Sequence, residues 1–245
     1  MLKKQFGDSE VRIFPDSGAL VAGTVDCIAS ALREAIASRR QAYLAISGGS
    51  TPKPVYERLR TLKGIDYRFV HVCFVDERNV PPTDGQSNFR MANLAWFDSG
   101  VVPATNILRM QGELGADVAA EKYEAELRKL NMPQQDGFPV FDLILLGMGT
   151  NGHCASLFSG SPALTENKRW IVGNWVAELN TNRITMTYPV LNHARETVFM
   201  VSEASKAKTL AEVLSGKSDL PSAKVHPVNG KLIWLVDEPA AALLP

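Results

Sequence analysis

Five stretches of this chain are apolar almost without interruption, and each runs into a polar or glycine-bearing loop: "QAYLAIS", "FVHVCFVD", "VFDLILLG", "TVFMVS" and "KLIWLVD". Strands without a polar face are buried on both sides, as in a mostly parallel sheet covered by helices. Helical periodicity falls between them, in "ALVAGTVDCIASALREAIASRR", "KPVYERLRTL", "GADVAAEKYEAELRKL" and "SKAKTLAEVLSG", the last ending at Gly216. The alternation predicts an α/β fold with a mostly parallel sheet and helices on both faces. A chain of 245 residues suits one large domain of this kind, so residues 1–245 are read as a single domain. "RITMTY" reads as a further short strand, and "NMPQQDGFP" as a loop joining two halves of the domain.

Four polar segments sit directly after apolar strands. "SGGSTP" follows "YLAI", "DER" follows "VCFV", "GMGTNGH" follows "LILL", and "SEASK" follows "VFMV". In open parallel sheets ligands bind beyond the carboxyl ends of the strands. The four loops, distant in sequence, are therefore expected to converge on one crevice.

Several function classes are disfavoured. Formal net charge is zero, which gives no electrostatic footprint for nucleic acid or an anionic membrane. No apolar run approaches the ~18 residues of a membrane span. The N-terminal "MLKKQFGDSEVRIF" lacks the apolar core of a signal peptide. Cys27, Cys73 and Cys154 lie far apart, with neither metal-ligand spacing nor an even disulfide set. A reducing, cytoplasmic setting is expected, and a monomer.

Gly147, Gly149 and Gly152 fall in the dinucleotide spacing G-x-G-x-x-G. That motif should open a long helix, with an acid closing a second strand about 20 residues on. Here "HCASLFSGSP" is broken by Gly160 and Pro162, and Glu166 precedes an apolar run instead of closing one. NAD is not expected; the glycines are read as a tight turn that presents His153. "SGGSTPKP" has glycines and hydroxyls ahead of Pro52. It suits either a phosphate held on backbone N–H groups or a plain strand–helix turn capped by Ser50 or Thr51. It lacks the G-K-[ST] ending of a P-loop. Arg78 suits an anion or oxyanion, with Asp76 orienting a neighbour; a local salt bridge is the alternative. Lys206, in the first turn of a helix, is unfavourable by the helix dipole unless an anion binds there; otherwise it is a solvated lysine. No G-x-S-x-G elbow is present, and Cys154 is read as packing.

Together these segments resemble the 6-phosphogluconolactonase family, within the glucosamine-6-phosphate isomerase and deaminase superfamily. The resemblance runs through "SGGSTPKPVYERL", "VDERNVPPTDGQSNFRMA", "ILRMQGE", "LILLGMGTNGHCASLF", "NRITMTYPVLNHAR", "SKAKTL" and "IWLVD". It implies a Rossmann-like single domain without a dinucleotide, metal or other cofactor. The implied reaction is hydrolysis of 6-phosphoglucono-δ-lactone, a small sugar-phosphate lactone, in the oxidative pentose phosphate pathway. By resemblance His153 is the catalytic histidine and Arg78 an active-site arginine. Lys206 and the turn Gly48, Gly49, Ser50 and Thr51 fall on phosphate-contacting positions, and Arg183 on a further basic one. The deaminase branch carries a tyrosine at Arg78 and a glutamate at Phe158, so those two residues favour the lactonase. A glucosamine-6-phosphate deaminase-like isomerase and a catalytically silent sugar-phosphate-binding protein stand as alternatives. The chain departs from the family pattern in three places. Asn151 replaces the usual aspartate two residues before the histidine, Ser159 a common proline, and Glu203 a usual glycine. Asn151 removes a carboxylate beside the base, a charge that Asp76 or Glu77 is expected to supply. The histidine is expected near its ordinary pKa of ~6.5.

Overall fold

The computed structural model describes residues 1–245. The chain opens with a hairpin, β1 (Leu2–Phe6) and β2 (Ser9–Phe14), followed by α1 (Ser17–Arg39), β3 (Ala42–Ile46) and α2 (Lys53–Leu59). Next come β4 (Val70–Phe74), β5 (Asp76–Arg78), α3 (Asn88–Ala95) and α4 (Ala116–Lys129). A two-stranded ribbon, β6 (Gln134–Gln135) and β7 (Phe138–Pro139), leads to β8 (Leu143–Leu146), β9 (Ile171–Val176) and β10 (Thr181–Met186). The chain ends with α5 (Tyr188–Leu191), β11 (Glu196–Val201), α6 (Ala207–Leu214), β12 (Lys231–Asp237) and α7 (Glu238–Ala241).

The main sheet has the order β1-β2-β12-β11-β8-β3-β4, and every pairing except β1/β2 is parallel. This is the expected α/β architecture. Alternate residues of each buried strand feed opposite cores, as the two-residue period of a strand requires. Leu44, Ile46, Val72, Phe74, Leu145 and Met200 pack in a cluster with α1, α2 and α3. Tyr43, Ala45, Ile144, Leu146, Phe199 and Trp234 pack in the other cluster with α4 and α6. From β3 the sheet grows one way to β4 and the other way through β8, β11 and β12, so the loops after β3 and β8 part at its centre. That switch point is where a crevice opens.

Three local readings are corrected. "FVHVCFVD" is two strands. Val75 N–H donates to Ile46 O at 3.0 Å while Val75 O accepts from Met186 N–H at 2.8 Å, so this residue belongs to both layers. Beyond it the chain leaves the parallel sheet and starts a second, antiparallel one, β5-β10-β9, which contains the "RITMTY" strand. "NMPQQDGFP" is the β6/β7 ribbon, not a plain loop. Finally, neither Ser50 nor Thr51 caps α2, which begins after Pro52 with no side-chain cap.

Glu77 fixes the junction. Its carboxylate is 2 % exposed and accepts from the backbone N–H groups of Arg78 (2.8 Å), Asn88 (2.7 Å) and Phe89 (2.8 Å) and from Ser87 Oγ (3.1 Å). It therefore binds β5 to the first turn of α3. Glu77→Ala strands several buried donors at once and should cost about 3–5 kcal/mol. Chemical denaturation of the variant measures this; a loss under ~1 kcal/mol would contradict the role.

Candidate active site

The four polar loops do meet. They line a cleft of about 240 Å³ at the carboxyl edge, with Gly48–Thr51 from the β3 loop, Asp76 and Arg78 from β5, Gly147–Gly149 and His153 from the β8 loop, and Ser202 and Lys206 from the β11 loop. A larger cleft, about 400 Å³, opens at the amino edge near Phe6, Val213 and Trp234. It contains none of the residues that the sequence singles out, so chemistry and not size locates the site.

The glycines of the β8 loop make room for a histidine. A Cβ on Gly149 would stand 2.1 Å from His153 Nδ1 and 2.8 Å from Asn151 Oδ1. Gly152 has φ +77°, a conformation open to glycine, and a Cβ there would strike Leu220 at 2.8 Å. The turn is closed by Gly149 N–H donating to His153 O (2.9 Å) and Gly152 N–H donating to Gly149 O (3.0 Å).

His153 Nδ1 lies 2.6 Å from Asn151 Oδ1, and its ring stacks on Phe158 with centroids 4.0 Å apart. An amide oxygen only accepts, so Nδ1 carries the proton and Nε2 the lone pair. Burial, followed by the charges of Lys206, Arg183 and Arg78, lowers the His153 pKa to about 4. This corrects the expected near-ordinary value: apolar packing and three cations all oppose the imidazolium, so the ring is neutral at pH 7.

Those three cations share one feature: none makes a salt bridge to a carboxylate. Arg78 and Arg183 are direct cross-strand partners on β5 and β10. Like charges so placed repel. Arg78 donates through a terminal nitrogen to Gln86 O at 2.5 Å, and the Nε atoms of both arginines are buried without a partner. Burial, then Arg78, lowers the Arg183 pKa, and burial lowers that of Lys206. Lys206 immediately precedes α6, as its N-cap, and not within the first turn where the sequence places it. Like charges gathered in this way repel, a cost that an anion bound between them would offset. At Gly48 a Cβ would overlap the Asn88 amide at 1.8 Å, and Gly49 has φ +97°. Glu203, at the position of a usual glycine, keeps the glycine-like backbone with φ +84° and ψ +144°. The strained turn is held by Glu203 N–H donating to both Asp237 carboxylate oxygens at 3.2 Å.

Asp76 lines the cleft but faces structural partners, accepting from Ser156 Oγ (2.6 Å) and Asn88 Nδ2 (3.2 Å). Neither Asp76 nor Glu77 supplies the missing charge beside Asn151. The carboxylate found there is Glu178, which sequence reasoning missed; it lies 25 residues beyond the histidine in the β9–β10 connection, and no spacing rule points to it. Cys154 is fully buried and burial raises its thiol to about 12, which agrees with a packing role.

A profile described as "Glucosamine-6-phosphate isomerases/6-phosphogluconolactonase" matches residues 15–234. The chain belongs to this family. It is 39% identical over 236 residues to a 6-phosphogluconolactonase of Synechocystis sp., covering 94% of this chain and 96% of that protein. It is 34% identical to one of Mycobacterium bovis, covering 97% and 99%. Among solved structures, the 6-phosphogluconolactonase of Thermotoga maritima superposes with a TM-score of 0.82 at 29% identity, over 94% of this chain and 99% of that one. The α/β, Rossmann-like fold expected from the sequence is that of the family. No helix is long and apolar enough to cross a membrane.

The lowered histidine pKa has a checkable sign. In the unfolded chain the ring titrates near ~6.5; in the folded chain it does so at about 4. Above the unfolded value both states are neutral and its stabilising contribution is complete. As pH falls from ~6.5 through the folded value, only the unfolded chain takes the proton, and that contribution is lost. NMR titration of the free protein should place the His153 midpoint well below 6, and bound inorganic phosphate should raise it. A midpoint at or above 6.5 would contradict the assigned environment.

Proposed function

We propose that the chain hydrolyses 6-phosphoglucono-δ-lactone to 6-phosphogluconate, the lactone-opening step of the oxidative pentose phosphate pathway, with His153 as general base. The observation that carries the reading is a neutral imidazole with a free Nε2 lone pair set among three cations that have no carboxylate partners. The names of the relatives supply the substrate class.

His153 Nε2 takes a proton from water, and the oxygen attacks C1 of the lactone. The electrons of the C=O bond move onto oxygen, where Arg78 or turn N–H groups are the available donors. Removing such a donor commonly costs ~3–4 kcal/mol. Collapse of the tetrahedral intermediate breaks the bond from C1 to the ring oxygen, which receives the proton from imidazolium. A depressed pKa makes the ring a weaker base and its conjugate acid a stronger proton donor. It therefore favours the second transfer, while the electrophilic lactone tolerates the first. Lys206, Arg183 and the Gly48–Thr51 turn hold the phosphate.

Phe158 supports lactone opening over deamination. The deaminase branch places a glutamate there for ring opening and proton transfer, whereas this chain stacks an apolar ring on the imidazole. A silent binding protein is the remaining reading, and turnover decides it: acid release from freshly generated lactone, run beside ammonia release from glucosamine 6-phosphate.

His153→Ala should lower kcat/KM for the lactone by ~10²–10⁴-fold with the fold intact. A variant within threefold of the parent would remove His153 from the mechanism. Lys206→Ala should raise KM for the phosphorylated lactone and leave unphosphorylated glucono-δ-lactone almost unaffected, because a phosphate contact is present in the ground state. Equal losses on both substrates would contradict a phosphate role.

A further inference from the structure

An amide beside a catalytic imidazole creates an ambiguity that a carboxylate does not. Asn151 can offer Nδ1 of His153 either its oxygen, which fixes the proton on Nδ1, or its NH₂, which moves the proton to Nε2. Only the first arrangement leaves Nε2 able to accept a proton from water. Something must therefore hold the amide one way round.

Glu178 is placed to do so. It sits in the short turn Ala177–Leu179 between β9 and β10. Asn151 Nδ2 donates to its Oε1 at 3.0 Å and to its Oε2 at 2.9 Å. A carboxylate only accepts, so the amide nitrogen must face it. The amide oxygen is then turned to His153, 2.6 Å from Nδ1 and 3.3 Å from the backbone N–H. The other carboxylate that lines the cleft, Asp76, is held by Ser156 Oγ and Asn88 Nδ2, so it does not compete for this position.

We propose that Glu178 is a positioning residue, which orients the Asn151 amide and through it selects the His153 tautomer that bears a free Nε2. Asn151 and Glu178 together replace the single aspartate of the usual family pattern. The consequence for turnover rests on the base role proposed for His153; the consequence for the tautomer does not. A tenfold preference for one amide orientation needs only about 1.4 kcal/mol, within reach of a charge-assisted contact at a partly exposed site.

The test is a cycle of Glu178→Ala, Asn151→Asp and the double variant, with Glu178→Gln as the conservative control. Glu178 is exposed on a surface turn, so its variants should fold. The first readout is the pair of imidazole ¹⁵N shifts of His153 at pH 7, which report the tautomer without any substrate. The parent should show a protonated Nδ1, Glu178→Ala a mixture, and Glu178→Gln, which keeps an acceptor, a return toward the parent. The second readout is kcat for lactone hydrolysis, expected to fall about 3–10-fold in Glu178→Ala with KM unchanged. Asn151→Asp alone should change kcat/KM by less than ~10-fold. In that background removal of Glu178 should cost nothing or give a gain, because two carboxylates then repel. An unchanged tautomer in Glu178→Ala, or the same loss of kcat in both backgrounds, would overturn the proposal. A shifted tautomer with unchanged kcat would uphold the orienting role and overturn His153 as the base.

Discussion

The cleft depends on a buried polar network that stands behind it. Glu77 gathers the first N–H groups of α3, and Asn88 of that same turn donates to the carbonyl and carboxylate of Asp76. Asp76 also accepts from Ser156, whose carbonyl accepts from Asn174 Nδ2 at 2.7 Å. One continuous chain of hydrogen bonds thus links β5, α3, the β8 loop and β9. In a low-dielectric interior the satisfied members of such a network stiffen it, while Asn88 Oδ1, beside Gly48, is buried without a partner. It also explains why Gly48 cannot carry a side chain, since the Asn88 amide fills that space. The acids of the "DER" segment build the wall on which the arginine is presented.

With that wall fixed, the electrostatics of the cleft follow from what is absent on its inner side. Arg78 and Arg183 oppose each other across β5 and β10, Arg78 and Lys206 line the cleft, and the carboxylates nearby are held by other hydrogen bonds. The same excess of positive charge, added to burial and the Phe158 ring, keeps His153 neutral. Under the proposed reaction, anion recognition and an available base therefore have a common origin.

Much of this was legible in the sequence, because continuous apolar strands and the loops after them obey simple rules. The parallel sheet, its long helices and the convergence of four loops follow from period and order. The glycine turn before His153 reads as a device for presenting a side chain, and the clash of any Cβ on Gly149 with the imidazole gives the reason. The antiparallel layer was not legible. Val75 serves two sheets at once, and nothing in "FVHVCFVD" marks the residue where a strand changes partners. The histidine pKa was missed because it depends on burial and on charges 30 to 75 residues away in sequence. Glu178 was missed for a similar reason, since its role exists only once the β9–β10 turn folds over the β8 loop.

The unpaired cations bear on how a turnover ends. Ring opening under the proposed reaction creates a carboxylate, so the product carries one more negative charge than the lactone. The groups that recruit the substrate therefore hold the product harder. Per unit charge at 4 Å the added attraction is about 1 kcal/mol in bulk water but about 4 kcal/mol at an effective dielectric of 20. A sealed pocket of this composition would become a trap for its own product. Gly49 and Ser50 at the mouth are exposed, which leaves the β3 loop open to water. An open rim is thus the counterpart of a cation-rich interior.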